Sequence, residues 1–427
     1  MSLLDKLCSE GVPAKIIDRP GSKRRLTEGV RVRAQDGSIH VYDLDQHYAA
    51  GTFTELWQAK ALPELLVIAP NPDQIVTVLE GLCDLLAEMH ARAPLSKDRI
   101  EENFPTVVFF SNGVYHYQNL LAFESLLTEA MILGKFPIWQ PNDSEHSYAE
   151  TILSKIIRGP TLQNGARIGS GAGAIYLPGK PSSTTLAGGS DKERAFAAKL
   201  LGKAGLVVIA ASDANVTAIE LDKAFVNLAV NLVGVIASID DKGTFSPANL
   251  GLVLSSPEVT GDLESLADVV LSMGKVMKHD PEHSTGHEKL QALRSKLAPL
   301  AAHVSSSVQL VGAKIESKSL TAELTPTETW LLKPLQNLCK AANLTKELDI
   351  LLALEKKYLA TLRKICVKYG FSVQSLDQCC DNNTGAGVKV LHQQGDQVVN
   401  SLRLQRNVLA LTSLGLAVLV FATVRKR

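Results

Sequence analysis

The chain has 427 residues, 45% of them apolar and 21% charged, which is ordinary for a globular protein with two or three domains. Lysine plus arginine and aspartate plus glutamate number 44 each, so the overall charge gives no case for a nucleic-acid partner. The six cysteines include no C-x-x-C pair, which excludes the usual zinc spacing, predicts no metal site and favours reduced thiols in the cytosol.

Short apolar runs alternate with helical patterns through the first half of the chain. The predicted elements are a short helix at 2–10, a strand at 14–17, a hairpin at 30–42 turning at Asp36-Gly37, a strand at 65–69, a helix at 73–89 and a strand at 106–110. Strands alternating with helices predict a doubly wound parallel sheet. Ligands bind such sheets at the carboxyl ends of strands, which nominates Arg19, Asn71 and Asn112.

The middle of the chain is less regular. Residues 120–160 and 240–265 are interpreted as insertions. Residues 169–174 satisfy G-x-G-x-x-A, but Pro178 and Pro181 follow where a dinucleotide fingerprint needs a helix, so a glycine-rich strand is predicted instead. We therefore predict a Rossmann-like domain at 1–209, an all-α domain at 210–378, a polar linker at 379–407 and an apolar tail at 408–424.

The apolar tail carries no charge between Arg406 and Arg425. As a helix, residues 408–424 cover roughly 25 Å, which is short but within the spanning range. A buried terminal helix is the alternative. The segment predicts a C-terminal transmembrane helix that anchors the chain to a membrane, with the body of the protein facing the cytoplasm.

Residues 221–231 combine apolar side chains with three regularly spaced polar ones. On a helix, Lys223, Asn227 and Asn231 recur every four residues and share one face. Because the other sides are apolar, such a helix is buried, and an ammonium and two amides in a core need partners. Two interpretations stay open: polar contacts between packed helices, or a cleft that presents one cation and two amides to a ligand.

These segments, in this order, resemble the ketopantoate reductases (2-dehydropantoate 2-reductases) of the 6-phosphogluconate dehydrogenase superfamily. The family's helix motif K-x-x-x-N-x-x-x-N matches the lysine and asparagines at 223–231, and its strand-end Asn-Gly matches Asn112-Gly113. Its glycine-rich strands are similar to residues 165–189, and its late Ser and Glu pattern is similar to Ser319 and Glu328. The resemblance covers residues 2–365, apart from the two insertions.

The resemblance implies a fold and a set of roles. The fold is an α/β Rossmann-like N-terminal domain followed by an all-α domain, and the reaction is reduction of a small 2-oxo acid by NADPH. Lys223 would be catalytic, as the donor of a proton to the developing alkoxide. The implied substrate-binding residues are Asn112, Asn227, Asn231, Ser319 and Glu328, and the implied cofactor-binding residues are Arg19, Gln74 and Asn112.

Alternatives remain for two of these residues. Arg19 and the basic run at 23–25 favour NADP over NAD, although a solvated basic turn has the same composition. Glu328 also completes a helix capping box with Thr325. The oligomeric state is open, with a homo-oligomer as one option.

The chain departs from the family at its start. The family begins with a strand and a G-x-G-x-x-G turn that hold the pyrophosphate, whereas this chain begins within the following helix. We therefore expect the first strand and the glycine loop to be missing. Asn71 also stands where the family has a lysine. Two functions compete: an NADP-dependent reductase, or a membrane-tethered pseudoenzyme that acts as a scaffold or ligand sensor.

Overall fold

The structure is a computed structural model, and its description covers two compact units. The described residues are 2–18, 30–34, 36–43, 48–69, 74–111, 113–135, 148–161, 165–168, 175–178, 183–210, 216–277 and 283–371. Unit 1 comprises Met1–Leu228 and Gly274–Lys289, and unit 2 comprises Ala229–Met273 and Leu290–Arg427. The helix that carries Lys223, Val216–Asn227, belongs to unit 1.

The elements are numbered in chain order. The first group is α1 (Ser2–Ser9), β1 (Ile16–Asp18), β2 (Val30–Arg33), β3 (Ile39–Tyr42), β4 (Tyr48–Ala50), α2 (Phe53–Gln58), β5 (Leu65–Ile68), α3 (Ile75–Arg92), α4 (Lys97–Asn103), β6 (Thr106–Phe109), α5 (His116–Ile132), α6 (Tyr148–Leu153) and β7 (Ile156–Arg158). Next come β8 (Gly165–Ile168), β9 (Ile175–Pro178), β10 (Ser183–Leu186), α7 (Asp191–Lys203), β11 (Val207–Ala210) and α8 (Val216–Asn227). The remaining helices are α9 (Val233–Ile236), α10 (Leu250–Ser255), α11 (Pro257–Val276), α12 (Gly286–Leu297), α13 (Ser306–Glu316), α14 (Pro326–Ala341) and α15 (Thr345–Tyr369).

The parallel strands of unit 1 form separate sheets. Strands β5, β6 and β7 lie side by side, and β1 pairs with β4. Among the described strands, none pairs with the other edge of β1 or of β5. The predicted hairpin is confirmed, because β2 and β3 are antiparallel, and β2 also pairs with β9, which in turn pairs with β8.

Helices cover both faces of the β5–β6–β7 sheet. On one face Val107 and Phe109 pack with apolar residues of α3 and α5. On the other, Val108 and Ile157 pack with Leu201 and its neighbours on α7. A strand buried on both faces reads as a continuous apolar run, which is why TVVF in β6 was recognisable from the sequence. The confirmed architecture of this unit is Rossmann-like.

The described parts of both segments interpreted as insertions contain helices, and the first also contains a strand. Residues 120–160 include most of α5, all of α6 and the third sheet strand β7. Residues 240–265 include α10, whose cap Asn249 accepts a hydrogen bond from the amide of Leu252, and the first half of α11. The sequence pattern missed them because β7 has only three residues and Pro257 separates two helices.

Unit 2 is built from helices in the residues described. Helices α14 and α15 pack against each other through buried leucines and Tyr358. Gly243, with φ +77°, lies against the backbone of Lys364 on α15, where a side chain would be 2.9 Å from the carbonyl oxygen. This arrangement agrees with the predicted helical second part of the chain.

The structure contradicts the predicted transmembrane helix and the membrane location derived from it. In the part of the chain that is described, no helix is long and apolar enough to cross a bilayer. A span needs about 20 predominantly apolar residues, whereas the long helices α11 and α15 carry charged side chains along their length. The predicted linker and anchor, residues 379–424, lie outside the described residues. The fold class therefore reduces to its Rossmann-like and helical parts.

Candidate functional site

A buried ion pair lies at the carboxyl ends of β6 and β7. Arg158, the last residue of β7, is 1% exposed, and its Nε donates to Oε1 of Glu220 at 2.6 Å. Its other two nitrogens donate to the carbonyl oxygens of Phe109 at 2.7 Å and Gly113 at 3.0 Å. The guanidinium therefore binds the end of β6, the loop that follows it and a side chain of α8 at once.

Glu220 caps a helix that is distant from it in sequence. Its Oε1 accepts the amides of Tyr115 at 3.1 Å and His116 at 3.2 Å, at the start of α5. These amides have no acceptor within their own helix, and a carboxylate there is favoured by the helix dipole. The anion-binding end of α5 is thus already filled by a group of the protein.

Two glycines allow this region to pack closely. Gly113 has φ +109°, and a side chain there would collide with the ring of Tyr115. Gly188 has φ +72°, and a Cβ there would lie 2.9 Å from Nε2 of His116. The loop between β6 and α5 is therefore enclosed on both sides, and neither glycine can be replaced without strain.

His116 is buried in this region without a charge. Loss of water, and then the positive charge of Arg158, lower the pKa of its imidazole to about 4. Within the described residues, its Nδ1 and the Oγ of Ser111 are buried without a hydrogen-bond partner. Because most buried polar atoms are paired, two unpaired atoms at one loop mark a place where a bound group or water is expected.

The low pKa of His116 predicts an acid-dependent loss of stability. The unfolded histidine takes up a proton near its ordinary pKa of 6.5, whereas the folded one does so only near 4. Between these values the unfolded state holds more protons, so the unfolding free energy falls as the pH is lowered through this window, by roughly 3 kcal/mol in full.

Urea unfolding at pH 7 and pH 4.5 measures this effect. His116→Gln, which keeps the backbone bond to Glu220 but cannot titrate, should lose less stability between the two pH values than the wild type. Equal losses in the two proteins would show that His116 is not the group responsible.

Helix α8 presents further polar groups on the side that Glu220 occupies. Lys223 and Asn227 follow Glu220 by three and seven residues, so the three side chains share one helix face. Lys223 is half-buried. Asn227 is 6% exposed, and its Nδ2 has no partner among the described residues. A cation and an unpaired amide thus lie along the face that is tied to the loop after β6.

The third residue of the predicted motif is placed differently. A π-helical turn, Leu228–Leu232, follows α8 and interrupts the regular spacing from which one common face was predicted. Asn231 lies in this turn, is assigned to unit 2 and accepts a hydrogen bond from Ser306 at 3.4 Å. Lys223 and Asn227 keep the predicted spacing.

The two late candidates also belong to unit 2. Ser319 is exposed, and its hydroxyl lies 2.8 Å from that of Ser317. Glu328 is buried in the first turn of α14 and accepts hydrogen bonds from Ser307 at 2.7 Å and from Thr325. The cavity beside it has a volume of about 10 Å³, room for roughly one water.

The predicted cofactor residues are only partly visible. Arg19 and Asn112 lie outside the described residues, and so does residue 71. Gln74 is half-buried just before α3, where its side chain makes no capping bond. In the described ranges no G-x-G-x-x-G turn joins a strand to a helix, and the 169–174 motif lies outside these ranges. The unpaired Ser111 hydroxyl fits a polar ligand group at the strand ends, but a phosphate-binding turn is not among these residues.

Sequence reasoning missed Arg158, Glu220 and His116. Arg158 is the one charged residue in the apolar strand β7, and Glu220 precedes Lys223 by one helical turn. A lone cation in a buried strand requires a partner, and this signal could have drawn attention to Arg158. Nothing local identifies the partner, which lies 62 residues away in the chain.

Solved structures share this fold. One is a D-mandelate dehydrogenase with NADH and anilino(oxo)acetate, 15% identical, TM-score 0.55, covering 85% of this chain and 95% of that one. Another is a PanE/ApbA family ketopantoate reductase from Ralstonia eutropha JMP134, 13% identical, TM-score 0.52, covering 85% and 95%. A third is a 2-dehydropantoate 2-reductase from Methylococcus capsulatus, 14% identical, TM-score 0.51, covering 88% and 94%. No family model and no curated protein matches the chain. At such identities the likeness shows a common fold.

Proposed function

We propose that this chain is an oxidoreductase that reduces the ketone of a small 2-oxo acid with a nicotinamide dinucleotide, in the manner of the ketopantoate reductases. The observation that carries the proposal is the helix face of α8. It holds Lys223 half-buried one turn from Glu220, whose carboxylate is bonded to the loop at the carboxyl end of β6. Ligands of doubly wound sheets bind at this edge.

The shared fold supports the same reaction class. One protein of this fold binds NADH together with anilino(oxo)acetate, and others are ketopantoate reductases. These ligands and activities belong to those proteins, and they agree with the chemistry that α8 offers here. The nicotinamide, when bound, supplies a hydride to the substrate carbonyl.

The residues of this chain would act on the charge that hydride transfer creates. As the carbonyl becomes an alkoxide, a cation beside its oxygen stabilises the transition state more than the ground state. Lys223 takes this role and donates the proton. The unpaired amide of Asn227 donates a hydrogen bond to the substrate. Asn112 is proposed as a further substrate contact, and Gln74 and Asn112 as contacts to the nicotinamide cofactor.

The finer assignment is NADP as cofactor and ketopantoate as substrate. NADP is favoured by Arg19, which follows the end of β1, together with the basic run at 23–25. In this fold a cation at that position pairs with the 2′-phosphate. Ketopantoate is favoured by the K-x-x-x-N-x-x-x-N motif at 223–231.

A nucleotide oxidation assay tests the proposal. The purified full chain is mixed with millimolar NADPH or NADH and with ketopantoate, pyruvate, 2-oxoisovalerate or phenylglyoxylate, and absorbance is followed at the nicotinamide band. We expect oxidation that requires the 2-oxo acid and is faster with NADPH. Matched ketones without the carboxylate serve as controls. If neither nucleotide is oxidised with any of these acids, the proposed activity is wrong.

A further inference from the structure

We propose that the Arg158–Glu220 pair positions the described backbone of the loop between β6 and α5, residues 110–111 and 113–115, relative to Lys223 and thereby sets the rate of the chemical step. The inference rests on the proposed function. Neither residue is assigned contact with the substrate, so both are positioning residues. They would act on the reacting atoms indirectly, through the loop on one side and through α8 on the other.

The pair holds the loop at both of its ends. Arg158 binds the carbonyl oxygens of Phe109 and Gly113, and Glu220 binds the amides of Tyr115 and His116. Phe109 and His116 flank the residues between β6 and α5, and Gly113 and Tyr115 are among those residues. Each of these hydrogen bonds therefore joins Arg158 to Glu220 or joins one of the two residues to the backbone in or next to this loop.

The same pair reaches the helix of the proposed proton donor. Glu220 and Lys223 are one turn apart on α8, and hydrogen bonds between successive turns link the backbone positions of the two residues. If the loop and α8 moved apart, the groups on the loop and the ammonium of Lys223 would lose their relative placement. A misplacement of about 1 Å in such a site lowers the rate by on the order of 10²-fold.

A second buried ion pair in unit 1 provides a matched control. Lys155, just before β7, lies 3.7 Å from Glu193, with side chains 6% and 8% exposed. Its other bonds go to the carbonyl of Glu101 and, through Glu193, to the hydroxyl of Thr106. This pair lies at the amino ends of the sheet strands. It resembles Arg158–Glu220 in its burial and in its position next to β7, but none of these hydrogen bonds joins it to the loop between β6 and α5.

The experiment compares two double variants with the wild-type full chain. Arg158→Met with Glu220→Leu removes both charges together, which avoids leaving one of them buried alone. Lys155→Met with Glu193→Leu does the same at the opposite edge. We expect the first variant to lose about 10²-fold in kcat with KM for the nucleotide little changed, and the second to stay within roughly threefold of wild type in kcat.

Hydrogen exchange supplies a readout that does not depend on turnover. Amides of residues 113–118 should exchange faster in the Arg158/Glu220 variant, because two of them lose their acceptor, and should be unchanged in the Lys155/Glu193 variant. Arg158→Lys keeps the charge but lacks the planar fork that reaches a carboxylate and two carbonyls together. It should therefore show a smaller loss of kcat than the double variant together with a partial loss of stability, because some of the buried acceptors lose their donor. This milder variant keeps the test decisive if the double variant fails to fold.

The outcomes separate this inference from the proposed function. Equal losses of kcat in both double variants, or unchanged exchange at 113–118 in the Arg158/Glu220 variant, would overturn the positioning role. Inactivity of the wild type on every 2-oxo acid would overturn the proposed function alone. In that case faster exchange confined to the Arg158/Glu220 variant still supports control of the loop, and equal exchange in both variants refutes it.

Discussion

We expect that replacing Lys223 by Ala lowers kcat for the proposed reduction of a 2-oxo acid by about 10²–10⁴-fold, the range for a positioned proton donor. The side chain is half-buried on α8, so truncation removes the cation from the developing alkoxide and leaves no neighbour assigned to replace it. The fold should survive, since a partly buried ammonium carries a desolvation cost that its removal relieves. Steady-state kinetics and a thermal melt measure the two expectations.

Lys289 is the matched control for this variant. It also lies beside α8, where its ammonium is 2.5 Å from Asp222 and stands over the ring of Phe225. Lys289→Ala removes a lysine of similar surroundings from unit 1 and should leave kcat near the wild-type value. A Lys223→Ala protein with nearly normal kcat, or equal losses in both variants, would return Lys223 to the role of a polar contact between helices.

Replacing Glu220 alone by Leu lowers the unfolding free energy of unit 1 by about 3–5 kcal/mol, the range for breaking a buried ion pair by removing one partner. The guanidinium of Arg158 would remain in the interior without its carboxylate, and the first amides of α5 would lose their acceptor. Each unpaired amide adds to the loss. Among single substitutions of Glu220, this one should give the largest loss of stability.

Urea unfolding monitored by tryptophan fluorescence measures this loss. Trp330→Phe removes the tryptophan of unit 2, so that Trp57 reports on unit 1. The double variant Arg158→Met with Glu220→Leu should recover the part of the loss that comes from the unpaired guanidinium, but not the part that comes from the two amides. The difference from the sum of the single variants gives a coupling energy between the two residues. A single variant within about 1 kcal/mol of wild type would mean that water or another group satisfies Arg158.

Several elements could be predicted because their signal is local. The hairpin of β2 and β3 follows from alternating residues on both sides of Asp36-Gly37. Strands β5 and β6 follow from short apolar runs bounded by turn residues. The helix with Lys223 and Asn227 on one face follows from their spacing. In each case residues close in the chain decide the conformation.

Other features could not be predicted, because the sequence signals that were used are local. The apolar tail at 408–424 has the composition of a membrane-spanning helix. The membrane location was predicted from this composition alone, and the structure does not support it. Strand β7 was taken for part of an insertion, because three residues carry no periodicity of their own. Asn231 lies in a π-helical turn, which the regular spacing of the motif did not predict.

By itself the sequence determined the periodic elements, the order of strands and helices and the polar face of α8, since these depend on neighbouring residues and on backbone geometry. Tertiary structure alone decided that Arg158 and Glu220, 62 residues apart, form one buried pair across the strand ends. It also decided that this pair caps α5 and leaves His116 neutral. A charge enters the interior only where its partner and all its hydrogen bonds are in place, and that condition is met by packing, which no local pattern encodes.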